Sequence, residues 1–261
     1  MNFWPAPAMP GVSPSRSNNS MGQVEISHFP DDAALAQAAA CAWLEQLSAA
    51  RVAGRKHLVA LSGGRIARAF FAAAVETAHQ QNLAFDRAEF FWADERCVPP
   101  DDVESNYLLA WEHLFRPAAV PATAIHRIEG ELDPQVAAER ATAELRRVAG
   151  QPAPPMPVLD LIVLGMGEDG HVASLFPGDV STEADNVSVF RAVFNSPKPP
   201  PSRITMGHGL IAAAREVWVL VAGAGKQSAL AQSITATGRT PLAKVIQRRG
   251  RTKIFTDISV V

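Results

Sequence analysis

LIVLGMGEDGHVASLFPG, residues 161–178, is the stretch whose reading decides the fold. The apolar run Leu161–Leu164 reads as a buried strand of a parallel sheet, covered on both faces. It runs into Gly165, Gly167 and Gly170, with Glu168, Asp169 and His171 alongside. Glycines there predict a tight turn where backbone can approach a ligand closely. In open α/β sheets, ligands bind beyond the carboxyl ends of the strands, at such turns. An imidazole on that turn suits proton transfer near neutral pH. The plainer reading of the same segment is a structural turn with a surface histidine. Gly165-x-Gly167-x-x-Gly170 also matches the dinucleotide fingerprint in spacing. That reading is rejected, because Glu168 and Asp169 would repel a pyrophosphate and no acid ends a strand roughly 20 residues on.

Working outward, strands alternate with helices. VEIS (24–27) reads as a strand, and Asp31 or Asp32 caps an Ala-rich helix to about Val52. HLVALSGG (57–64) is a strand entering a glycine turn, and Ile66 to Leu83 is helical. AEFFWAD (88–94) is a strand ending in Asp94-Glu95-Arg96. Ser105 caps SNYLLAWEHLF as a helix, Ala124–Arg127 reads as a short strand, and Asp133-Pro134 opens a helix. QPAPPMP (151–157) is a connector, and SPKPPPSR (196–203) must be extended, since consecutive prolines forbid a helix. GLIAAAR is a short helix, EVWVLVAG (216–223) a strand, Gly225–Thr235 and Pro241–Gln247 helices, and TKIFTD (252–257) a last strand. The fold class is therefore α/β: a single domain with a mostly parallel, Rossmann-like sheet and helices on both faces. Residues 1–22, rich in Pro, Ser and Asn, read as a disordered tail with no secretory signal pattern, and 23–261 as the catalytic domain.

Composition narrows the function. The chain has 261 residues, 48% hydrophobic and 19% charged, as in an ordinary globule. A net charge of −2 favours neither nucleic acid nor an anionic membrane as partner. No apolar run approaches the ~20 residues of a membrane helix. Cys41 and Cys97 cannot build a disulfide framework and fit a cytoplasmic setting. No Cys/His cluster has zinc spacing, so neither metal nor cofactor is expected. Oligomeric state is left open between a monomer and a weak dimer.

Several strand ends carry residues suited to one composite site. Ser62-Gly63-Gly64, between strand and helix, forms an anion nest to which Arg65 adds charge. Lys226 follows a glycine turn at another strand-to-helix junction, and Arg203 follows the stiff proline segment. Two cations with a glycine nest would hold a phosphate monoester. Arg96, beside two carboxylates, reads as a structural ion pair or as a substrate ligand. His171 is the candidate general base, with Asp169 placed to orient it or a water. His28, His57, His79, His113, His126 and His208 lack such a context and receive no role.

Four motifs occur in order: LSGG (61–64), WADERCVPPDDVESNY (92–107), LGMGEDGHVASLFPG (164–178) and SPKPPPSRITM (196–206). Together they resemble the 6-phosphogluconolactonase branch of the family that also holds glucosamine-6-phosphate deaminases, over about residues 24–257. The resemblance implies that His171 is catalytic. It implies that Ser62, Gly63, Gly64, Arg203 and Lys226 hold a sugar phosphate, and that Arg96 lies near the substrate. It implies hydrolysis of 6-phospho-D-glucono-1,5-lactone in the pentose phosphate pathway, with no cofactor. Two departures are local. SGGRIA stands where the family usually has SGGSTP, so Arg65 replaces a hydroxyl, and Val172 replaces the usual Thr. The related deaminases follow DGH with a segment ending Asn-Glu-Pro, whereas ASLFPG here carries no such acid. The alternatives are a deaminase/isomerase-like enzyme and a non-catalytic sugar-phosphate-binding regulator.

Overall fold

The structure, a computed structural model, describes residues 15–17, 23–151, 156–178 and 187–259. The strands are β1 (Ser15–Ser17), β2 (Gln23–His28), β3 (His57–Leu61), β4 (Ala88–Trp92), β5 (Asp94–Arg96), β6 (Leu161–Gly165), β7 (Phe190–Val193), β8 (Arg203–Met206), β9 (Glu216–Val221) and β10 (Arg251–Thr256). The helices are α1 (Asp32–Val52), α2 (Arg65–Gln81), α3 (Asn106–Ala110), α4 (Pro134–Ala149), α5 (His208–Ala213), α6 (Gln227–Ser233) and α7 (Pro241–Gln247).

The main sheet has the order β1-β2-β10-β9-β6-β3-β4. Every pairing in it is parallel except that of β1 on β2. The α/β class and the parallel sheet read from the sequence are therefore correct. β3 and β4 are buried at every position, which is why they read as unbroken apolar runs. From β3 the chain steps outward through α2 to β4, whereas from β6 it steps the other way, to β9 and then β10. Right-handed crossovers then put α2 on one face and the helices after β6 on the other. α1 packs on α2, and α5 and α6 pack on α7. The boundary between β3 and β6 is thus the switch point, where a cleft opens at the strands' carboxyl ends.

Local capping follows the sequence. Asp31 accepts the Ala34 N–H at 2.8 Å, Ser105 accepts the Leu108 N–H at 3.2 Å, and Asp133 accepts the Gln135 N–H at 3.0 Å ahead of Pro134.

The structure corrects three expectations. Asp94–Arg96 do not extend β4. They form β5 of a second, antiparallel sheet, β5-β8-β7, in which Arg96 lies opposite Arg203. Ala124–Arg127 is not a strand. Pro121 fixes the backbone and accepts the Ala124 N–H, giving a tight turn at Ala122–Ala124 with a single bridge between Phe90 and Ile125. The helix after Ser105 widens into a π turn at Trp111–Phe115, which lets the adjacent Leu114 and Phe115 both reach the core. Of residues 1–22, Ser15–Ser17 pair with Val24–Ile26, and the rest lies outside the described residues. Among the described residues no helix is long and apolar enough to cross a membrane.

Candidate active site

A cleft of about 280 Å³ opens at the switch point. Ser62–Arg65 line it from the end of β3, Gly165–Gly167 and His171 from β6, and Ala222, Gly223 and Lys226 from β9. The small sheet adds Asp94, Arg96 and Arg203. The cleft thus gathers the residues singled out in the sequence, except Asp169, which stands behind His171.

The His171 turn is closed by the Gly167 N–H donating to the His171 carbonyl at 2.9 Å, with Gly170 at φ +78°. The imidazole lies over Gly167, where a Cβ would come within 2.1 Å of the ring. Any side chain at 167 would displace the imidazole. Nδ1 of His171 is 2.5 Å from Oδ1 of Asp169, which also accepts the His171 backbone N–H at 3.2 Å. With Asp169 ionised, Nδ1 carries the proton and Nε2 keeps its lone pair. Burial pushes the imidazole below its usual pKa, and Asp169 only partly opposes this. Burial pushes the Asp169 carboxyl up, but the hydrogen bonds and charge of His171, with Lys198, together outweigh it, so the carboxyl ends below its ordinary value.

One end of the cleft is built at the start of α2. Gly64 takes φ +98°, which opens the turn, and Arg65 begins the helix. The Ser62 hydroxyl is engaged: it donates to the Val163 carbonyl at 2.9 Å and ties the end of β3 to β6. What this turn offers a ligand is therefore chiefly backbone N–H. Asn106 packs over Gly63 so closely that a Cβ there would lie 1.9 Å from Oδ1, while Nδ2 donates to the Asp94 carbonyl at 2.9 Å. Lys226 faces this end. Burial and the nearby Arg65 lower its pKa, with Glu168 and Asp257 opposing. Asp32 and Asp257 line the same end of the cleft.

The Asp94-Glu95-Arg96 segment divides by strand alternation. Asp94 and Arg96 face the cleft, and Glu95 faces away. Glu95 accepts the N–H groups of Arg96, Asn106 and Tyr107 at 2.7–2.8 Å and so caps α3. Burial pushes this carboxyl up to about 7 despite those bonds. Arg96 pairs with neither neighbour. Its Nη1 donates to the Glu104 carbonyl at 2.7 Å and lies 3.5 Å from that residue's carboxylate. Its Nε is buried with no hydrogen-bond partner among the described residues. Arg203 is buried too, and its guanidinium donates to the carbonyls of Lys198, Pro199 and Pro200. Asn106, Asp32 and Asp257 were not singled out in the sequence. For Asn106 a signal existed, in its place beside the helix-capping Ser105.

Comparison with known proteins adds to this geometry. The profile of the family described as "Glucosamine-6-phosphate isomerases/6-phosphogluconolactonase" matches residues 30–254. A 6-phosphogluconolactonase of Mycobacterium tuberculosis is 35% identical over 216 residues, 80% of this chain and 85% of that protein. A probable chloroplastic 6-phosphogluconolactonase of rice, Oryza sativa subsp. japonica, is 35% identical over 209 residues, 76% of this chain but only 63% of the rice protein. The solved 6-phosphogluconolactonase of Trypanosoma brucei superposes with a TM-score of 0.74 at 26% identity, covering 88% of this chain and 95% of that one. A monomeric glucosamine-6-phosphate deaminase, at 16% identity and a TM-score of 0.74, shares the fold. The chain belongs to the glucosamine-6-phosphate isomerase/6-phosphogluconolactonase family.

Proposed function

We propose that this chain hydrolyses 6-phospho-D-glucono-1,5-lactone to 6-phosphogluconate, in the cytoplasm and as a step of the pentose phosphate pathway. The observation that carries the reading is the hydrogen-bonded His171–Asp169 pair at one cleft with the Arg65 and Lys226 cations. It provides a base and an anion anchor within one cleft. The relatives named lactonases support the same reading.

The sugar's phosphate sits on the backbone N–H groups of Gly63 and Gly64 at the start of α2, with Arg65 and Lys226 as counter-charges. Nε2 of His171 takes a proton from water as the water oxygen bonds to the lactone carbonyl carbon. The carbonyl oxygen becomes an oxyanion facing Arg96. Collapse of this adduct breaks the bond from that carbon to the ring oxygen, and the imidazolium returns its proton to the departing oxygen. Asp169 holds the ring and stabilises the imidazolium. The domain boundary at about residue 23 belongs to the same proposal.

The test is purified, chelator-treated protein, assayed fast and against a no-enzyme blank because the lactone opens unaided. Faster formation of 6-phosphogluconate, with no ammonia from glucosamine 6-phosphate, is expected. Ammonia release overturns the lactonase in favour of the deaminase. Sugar-phosphate binding without either reaction points to a regulator.

A further inference from the structure

The segment Ser196–Ser202 forms a strap that leads into Arg203 of the cleft and is closed by the Ser196 N–H donating to the Pro201 carbonyl at 2.8 Å. Four of its residues are prolines, which have no N–H and cannot continue a ladder. Their neighbours' carbonyls therefore need donors from elsewhere. Arg203 supplies them. Nε donates to Pro200 at 3.2 Å, and Nη2 donates to Lys198 at 3.2 Å and to Pro199 at 2.9 Å.

The opposite side of the same guanidinium holds the reaction turn. Nη1 reaches the Ser174 hydroxyl at 3.4 Å, and that hydroxyl donates to Asp94 at 2.7 Å. The guanidinium lies 5.7 Å from the centre of the Phe176 ring, and that ring meets the imidazole of His171 at 4.7 Å. One planar fork thus clamps the strap to the segment that carries the base.

The strap bears one cation, Lys198. Its side chain is exposed, its carbonyl is held by Arg203 at 3.2 Å, and its charge bears on His171 and Asp169. We infer that Arg203 is a positioning residue rather than a phosphate ligand: it holds the strap against the His171 turn and so fixes Lys198 beside the His171–Asp169 pair. There Lys198 favours the uncharged imidazole, opposing Asp169 on the same turn and Asp94 from β5. This rests on the lactonase reading for its kinetic part only.

The experiment compares Arg203→Lys, Arg203→Met and Lys198→Met with the unaltered protein. Turnover in both Arg203 variants should fall by about 10–100-fold, as for a misplaced reacting group. Lys should not rescue, because an ammonium cannot fork across three carbonyls. The ratio of KM for the phosphorylated and unphosphorylated lactones should stay constant. NMR titration of the ligand-free protein should show the His171 pKa raised in Lys198→Met and raised likewise in both Arg203 variants. Rescue by Arg203→Lys, or a KM ratio that collapses, would make Arg203 a phosphate ligand and overturn the inference. An unmoved His171 titration in Lys198→Met overturns it as well. That exposed substitution keeps the test valid if the Arg203 variants do not fold. If the unaltered protein opens no lactone, the functional reading fails while the titration still decides the strap.

Discussion

Oδ1 of Asp169 lies 2.5 Å from Nδ1 of His171, two residues along one glycine turn. The contact fixes the tautomer and leaves Nε2 toward the cleft. His171→Ala should lower turnover by about 10²–10⁴-fold without loss of fold, the range of a general base. Asp169→Asn keeps the shape and loses the charge, so turnover should fall by a smaller factor. Steady-state kinetics with circular dichroism on both variants provide the check. Near-wild-type turnover in folded His171→Ala removes this residue from the mechanism.

The acid limb of activity follows from the direction of the His171 shift. Burial lowers the imidazole pKa, so the neutral, basic form persists to lower pH. kcat/KM should rise with pH through an apparent pKa below the ordinary histidine value of about 6.5 and be level at neutrality. A limb centred above that value would contradict the assignment.

Lys226→Ala removes a charge from the anion end of the cleft. KM for the phosphorylated lactone should rise by about 10–100-fold, the worth of a charge-assisted hydrogen bond. The unphosphorylated lactone should be affected far less. Equal losses on both substrates would mean that Lys226 does not read the phosphate.

His57, at the opposite end of β3, gives a stability prediction. It is 1% exposed, neither ring nitrogen has a hydrogen-bond partner among the described residues, and Asp160 is 4.0 Å away. Burial pushes its pKa down to about 4, with Asp160 opposing. The unfolded chain therefore binds more protons between that value and about 6.5. Stability is complete above this window and is lost as pH falls through it, by about 2 kcal/mol at pH 5. Urea midpoints at pH 7 and pH 5 should show the drop in the native chain and a smaller drop in His57→Leu.

The parallel sheet was legible because β3, β4, β6 and β9 are apolar runs entering glycine or charge, a pattern set by burial on both faces. The second sheet was not. β5 has three residues and continues visually from β4, and β7 shows no alternation, its pattern being buried only at Phe190 and Val193. Such strands are specified by their partners rather than by their own sequence. At the site, His171 and the glycine turns were legible from local chemistry. The engagement of Ser62 with Val163 and of Arg203 with the strap was not, because both depend on contacts between segments distant in sequence. Glu95 and Arg96 read as ion-pair members, but alternation along β5 sends them in opposite directions.

β3 and β6 are neighbours whose chains depart in opposite senses, and the hydrogen bond from Ser62 to Val163 spans 101 residues. The turn after β3 and the turn after β6 therefore rest on separate helix layers. A lineage can retune one without rewriting the other. Arg65, the first residue of α2, belongs to one of these layers alone, so a change there leaves the His171 turn as it was.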